Sequence, residues 1–260
     1  MKIKFYQVDA FTDKLFGGNP AGVCSLEDWL PNEVMQNIAF ENNLAETAFF
    51  VTNDVDFELR WFTPLAEVDL CGHATLATAH VLFEHLKYNK EKIIFHTRSG
   101  ELTVTKKKEK LVLNFPIDIV KKTEAPEELI KAIGKKPVEA FKGKTDYMFV
   151  YQTQKEIEDI VPDFELIKNF QARGIVITAK GDKVDFVSRF FAPLVGIDED
   201  PVTGSAHTTL TPYWAIKLKK QELSAMQLSK RQGKLNCKLI VDRVEISGNA
   251  VTYLEGSIKI

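Results

Sequence analysis

The feature that most constrains the fold is an internal repeat. FELRWFTPLAEVDLCGHA (57–74) sets beside FVSRFFAPLVGIDEDPVTGSA (186–206). Phe57, Arg60, Phe62, Pro64, Leu65 and Asp69 meet Phe186, Arg189, Phe191, Pro193, Leu194 and Asp198, each pair 129 positions apart. A three-residue insertion then brings Gly72 opposite Gly204 and Ala74 opposite Ala206, and SGEL (99–102) falls opposite QGKL (232–235), 133 positions on. The constant offset and the matching downstream segments argue against chance. A period near ~130 residues is too long for a solenoid, whose units run to about 20–45. It means two similar domains, with the junction in FPIDIVKKTE (115–124) and halves at 1–117 and 118–260.

Strand signals dominate both halves. KIKFYQVD (2–9), TAFFVT (47–52), DFELRWF (56–62) and KIIFHT (92–97) are β-branched or aromatic runs bounded by turn residues. A hairpin is expected over 100–115, with the Lys run 106–108 as its solvated turn. One helix begins near Pro31 with Val34, Met35, Ile38 and Ala39 on one face; another over 125–133 stops at Gly134. Two more, 72–87 and 203–219, begin with small residues on nearly every face, the pattern of a buried helix. Pro212 is expected to kink the second by removing one backbone donor and crowding the carbonyl of Thr208.

Composition removes several function classes. The chain is 45% hydrophobic and 27% charged, with a formal net charge of -2, so it is globular and has no basic field for nucleic acid. No apolar run approaches the roughly 18 residues of a membrane span, and the start has no apolar core of a signal peptide. Cys24, Cys71 and Cys237 are odd in number and widely separated, which fits free thiols in a reducing compartment. A cytoplasmic location is the expectation. The spacing of His73, His80, His85 and His96 yields no metal-ligand pattern, and HExxH, GxSxG and phosphate-binding glycine loops are absent.

What remains is chemistry at the two matched helix starts, Cys71-Gly72-His73 and Thr203-Gly204-Ser205. Leading helical N–H groups have no internal partner and carry the positive end of the dipole, so they suit a small carboxylate. The alternative is ordinary capping by Thr203 or Ser205. Glu46, ahead of an apolar strand, and Asp200, ahead of Pro201, are the candidate acids. A partly dry setting suits a carboxyl that takes and returns a proton, although spacing alone does not select Glu46 over other acids.

Four runs in order settle the comparison. QVDAFTDKLFGGNPAGV (7–23), LAETAFF (44–50), FTPLAEVDLCGHATLATAH (62–80) and DEDPVTGSAH (198–207) closely resemble the phenazine-biosynthesis isomerase (PhzF-like) family. The resemblance implies an α+β, diaminopimelate epimerase-like fold. In it two pseudo-symmetric domains, each a β-barrel-like sheet round a central helix, share an active site. It also implies an isomerase that needs neither cofactor nor metal, acts on a small carboxylate-bearing metabolite, and forms a possible homodimer.

Carried onto this chain, Glu46 is the general acid/base, with His73 and Asp200 as further catalytic groups. Asn19, Gly72, Gly204 and Ser205 bind substrate. Related epimerases use a Cys from each half; here the first is Cys71 but the second is Thr203. That disfavours a two-thiol racemase, and Cys71 is expected to be a buried small residue. An epimerase or racemase of an amino or hydroxy acid, and a catalytically silent binding protein, are the alternatives.

Overall fold

The computed structural model describes every residue of the 260 except Asp54. The chain forms two compact units, Met1–Phe115 with Ile246–Ile260, and Pro116–Glu245. The first contains β1 (Lys2–Ala10), β2 (Asn19–Leu26), α1 (Asn32–Asn42), β3 (Glu46–Asn53) and β4 (Asp56–Phe62). It continues through β5 (Glu67–Val68), α2 (Gly72–Glu84), β6 (Lys92–Thr97), β7 (Gly100–Lys107) and β8 (Lys110–Pro116). The second opens with β9 (Lys121–Thr123), α3 (Glu127–Ile133), β10 (Glu139–Lys142), β11 (Asp146–Val150), α4 (Gln154–Asp159) and α5 (Phe164–Lys168). It proceeds through β12 (Gly174–Lys180), β13 (Phe186–Phe191), α6 (Gly204–Leu218), β14 (Glu222–Gln227) and β15 (Gly233–Ile240). Then come β16 (Arg243–Gly248) and β17 (Ala250–Lys259).

The repeat is visible as strand pairing. In the first unit β2 runs parallel to β3, β3 antiparallel to β4, β4 parallel to β6 and β6 antiparallel to β7. The second repeats the same alternation through β11, β12, β13, β14 and β15. Each unit is thus a mixed sheet with one buried helix, an α+β architecture. Where the first unit places α1 between its parallel strands, the second has two short helices. One of these, α4, opens on a capping box between Thr153 and Glu156. In the stretch that holds them, the sequence reading expects only the helix over 125–133, which is α3. No helix among the described residues is long and apolar enough to cross a membrane.

One expectation needs correction. A division at 117/118 assigns the whole C-terminal stretch to the second half, whereas 246–260 belongs with the first unit. The cause is β17, which pairs antiparallel with β1 from Lys2↔Lys259 to Ala10↔Ala250. Such pairing between chain ends leaves no mark in a repeat offset.

The repeated Arg and the Phe two residues after it turn out to be a structural clamp. Arg60 donates from Nε to Glu67 Oε1 at 2.7 Å and from Nη2 to Oε2 at 2.8 Å, its guanidinium 5.3 Å from the Phe62 ring. Arg189 does the same with Glu199 at 2.7 and 3.0 Å, 5.0 Å from the Phe191 ring. A planar guanidinium can hold a carboxylate bidentately and lie on an aromatic face at once, which a lysine cannot. Arg and Phe alternate with a period of two, so they share one face of the strand and meet.

Both small-residue helices are buried as expected. Ten of the thirteen residues of α2 are buried, and it packs against β1, β2, β3 and β17. Buried threonines are tolerated because their hydroxyls bond back one turn: Thr75 donates to Cys71 O at 2.6 Å and Thr78 to Ala74 O at 2.8 Å. Helix α6 runs unbroken through Pro212. The carbonyl of Thr208, which Pro212 leaves without its helical donor, accepts instead from the backbone N–H of Asp118 at 3.3 Å. Asp118 also takes the Thr209 hydroxyl through Oδ2 at 3.1 Å, so one residue stitches that turn.

His207, in the second turn of α6, is fully buried, with Nδ1 2.8 Å from Thr203 O and no partner at Nε2. Burial pushes its imidazole down from 6.5 to about 4. A base whose folded value is depressed stabilises the fold fully above its unfolded value. That contribution fades as pH falls from there through the folded value. We expect about 3 kcal/mol of stability to be lost through His207 between neutrality and ~pH 4. Urea titrations of wild type and His207→Asn across that range check it: the wild type should show the extra loss, the variant should not.

Candidate active site

In the first unit the strand β3 and the helix α2 bring three sequence-distant side chains together. Glu46 opens β3 opposite Ala21 of the parallel strand β2. His73 is the second residue of α2, and Cys71, in extended conformation, is its N-cap. His73 Nε2 lies 3.1 Å from Glu46 Oε2, while its Nδ1 faces Asn19 Nδ2 at 3.2 Å and Cys71 Sγ at 3.4 Å. All four residues are buried. The ring therefore stands between a carboxylate on one edge and an amide and a thiol on the other.

Electrostatics follow from that placement. Burial alone would push the His73 imidazole down, but Cys71 and Glu46 beside it outweigh the desolvation and hold it well above its ordinary value. Burial pushes the Cys71 thiol up to about 11.

The second unit builds a different group at the matching helix start. Thr203, the N-cap of α6, makes no side-chain cap; its hydroxyl donates to Asp200 Oδ2 and its N–H to Gln227 Oε1 at 2.9 Å. Gln227 Nε2 closes the turn by donating to Asp200 O at 2.7 Å. Ser205 Oγ lies 3.4 Å from Arg173 Nη2, and Arg173 is held by Asp146 through Nε at 2.8 Å. Cys71 likewise makes no side-chain cap. Neither Cys71 nor Thr203 is an ordinary helix cap, which leaves the amides behind Gly72 and Gly204 for another partner.

Strand register shows what stands opposite Glu46 in the repeat. Thr47 pairs with Phe62 and Ile175 with Phe191, and these two phenylalanines are a repeat pair. Glu46 therefore corresponds to Gly174. A Cβ on Gly174 would lie 2.3 Å from Phe190 Cζ, so a side chain at this position requires the Phe190 ring to move. The asymmetry between units is steric. Gly174→Ala is expected to destabilise the second unit by about 1–3 kcal/mol through overpacking. A lowered urea midpoint, partly restored by Phe190→Leu, would be the sign.

The sequence placed Glu46, His73 and Asn19 in one site, and the fold brings these three together. Asp200, Gly204 and Ser205 lie at the other helix start. Reading by spacing missed Gln227 and the Arg173–Asp146 pair, which come from separate strands and loops and carry no local signal. It also found no metal-ligand pattern, yet one ligand atom each of Glu46, Cys71 and His73 lie within 4.8 Å of one another. Ligands drawn from a strand and a helix start have no characteristic spacing. His80 and His85 sit away from this cluster, both on Thr252 Oγ1, at 3.0 and 2.7 Å.

Comparison with known proteins identifies the family and the fold. A family model described as phenazine biosynthesis-like protein matches residues 8–256. An uncharacterized isomerase of Pseudomonas aeruginosa is 49% identical over 258 residues, 99% of each chain. Among solved structures, a phenazine biosynthesis protein of the PhzF family from Enterococcus faecalis superimposes with a TM-score of 0.97 at 47% identity over 100% of both chains. A predicted epimerase of Pseudomonas aeruginosa shares the fold, with a TM-score of 0.74 at 17% identity over 99% of both chains.

Proposed function

The chain belongs to the phenazine biosynthesis-like family of isomerases, and from that premise we propose a cofactor-independent proton-shift isomerase. Its substrate is a small carboxylate-bearing, unsaturated or cyclic metabolite. The observation that carries this reading is the buried pair of Glu46 and His73, 3.1 Å apart. Glu46 takes a proton from an acidic carbon; the electron pair released moves through the adjacent double bond, and the same carboxyl returns the proton at the far carbon. No net proton is gained or lost. One group suffices as base and then acid if both carbons lie on its face. His73, held in its charged form, stabilises the carboxylate before and after transfer and restrains its position.

The second unit supports a single-carboxylate route. Where a two-thiol epimerase needs its second Cys, this chain has Thr203, whose hydroxyl is already engaged by Asp200. In the second unit, Arg173, whose guanidinium is held by Asp146, with Ser205 and the amide behind Gly204 offers hydrogen-bond donors to a carboxylate; in the first, Asn19 and the amide behind Gly72 are polar contacts for substrate. Asp200 orders the α6 start.

Epimerisation is the competing reading, since Cys71 occupies one of the two thiol positions. The test is turnover in deuterated water of whichever metabolite in a cell extract acquires label. Label at a new carbon with the double bond displaced is expected. Label at the original carbon with inverted configuration, lost in Cys71→Ser, would establish the epimerase instead.

A further inference from the structure

Cys71 is the member of the buried trio to which the proton transfer gives no task. Its Sγ stands 3.4 Å from His73 Nδ1. A tetrahedral zinc ion with bonds of ~2.3 Å to sulfur and ~2.0 Å to nitrogen holds such donors about 3.5 Å apart. The two atoms therefore already have the bite of a shared ion. Glu46 on the opposite ring nitrogen makes the carboxylate–imidazole support that metal-bound histidines use, and turning its side chain would make it a third ligand. One ligand atom from each residue falls within 4.8 Å of the others. Thiolate, imidazole and carboxylate together select borderline-soft ions over magnesium or calcium. Asn19 Nδ2, 3.2 Å from the same Nδ1, must move aside for the ion.

We propose that Glu46, Cys71 and His73 form a binding site for a thiophilic divalent cation, with zinc the natural ligand, and that occupancy arrests the enzyme. The binding half stands on the geometry; the arrest rests on the reading of Glu46 as the proton-transfer group. A bound ion takes the lone pairs through which Glu46 and His73 handle protons. Binding expels the thiol proton and one imidazolium proton of His73, so affinity rises with pH.

The test uses the full chain stripped with chelator and titrated with cadmium, whose thiolate complex absorbs in the near ultraviolet. Saturation at one equivalent is expected, with the band lost in Cys71→Ser and retained in Cys24→Ser. His73→Gln should weaken binding by at least about tenfold. Circular dichroism and melting temperature show whether each variant is folded. A band that survives in folded Cys71→Ser, or its absence from wild type, overturns the site. Zinc should also suppress solvent-deuterium exchange in wild type, reversibly with chelator. Stoichiometric binding without suppression keeps the site and overturns the arrest. Exchange that never occurs, with the band present, overturns the isomerase reading and leaves the site standing.

Discussion

Glu46→Gln is expected to lower turnover by about 10²–10⁴-fold, the contribution of one positioned acid/base, while ligand binding persists. Glutamine keeps the shape and can still meet the ring of His73, but its amide cannot accept and return a proton. Solvent-deuterium uptake into the labelled metabolite, measured for both proteins, decides the matter. Turnover within a few-fold of wild type would remove Glu46 from the mechanism.

The same variant carries a second readout that does not depend on knowing the substrate. With the carboxylate gone, burial acts on His73 against one partner fewer, and its imidazole should titrate lower than in wild type. Histidine proton resonances followed against pH report this directly. The sign for stability is the reverse of that for His207. A folded value raised above the unfolded one stabilises fully below about pH 6.5 and is lost as pH climbs through the folded value. Wild type should lose that contribution on the alkaline side, and Glu46→Gln should lose less there.

Arg189→Ala is expected to cost about 3–5 kcal/mol, the loss seen when one partner of a largely buried ion pair is removed. Arg189 and Glu199 are only 12% and 21% exposed, and Arg189 Nη1 also donates to the carbonyls of Ile157 at 3.1 Å and Ile160 at 2.6 Å. Removing the guanidinium strands a carboxylate and two carbonyls together. Arg189→Lys should recover little, because an ammonium cannot span both carboxylate oxygens and lie on Phe191. Arg60→Ala, whose partner Glu67 keeps a second cation in Arg98 at 2.7 Å, should cost less. Urea unfolding of the three variants gives the ranking; losses under about 1 kcal/mol at both Arg60 and Arg189 would refute the clamp as the reason for the repeat.

Much of this was legible in the chain itself. Arg60 and Phe62 recur at a fixed offset because a clamp built from residues two apart on a strand is a local object. The buried helices were legible because Gly, Ala and Thr on every face leave no polar side to turn to water. Glu46 and His73 were legible only through whole runs of resemblance. Nothing at position 46 distinguishes that glutamate from others until β2 and β3 pair in parallel and carry it to the start of α2.

The sequence by itself therefore determined two related α+β halves, two buried helices beginning at glycines, and an unequal pair of positions, Cys71 and Thr203. Local pattern governs all of these, since side-chain period and chain offset need no knowledge of distant partners. Tertiary structure alone decided that the last strand completes the first unit, that Asp118 takes the carbonyl freed by Pro212, and that the Phe190 ring crowds any side chain at Gly174. It also decided that His73 stands between Glu46 and Cys71. Each of these depends on contacts between segments far apart in the chain, whose closeness exists only once the strands have paired.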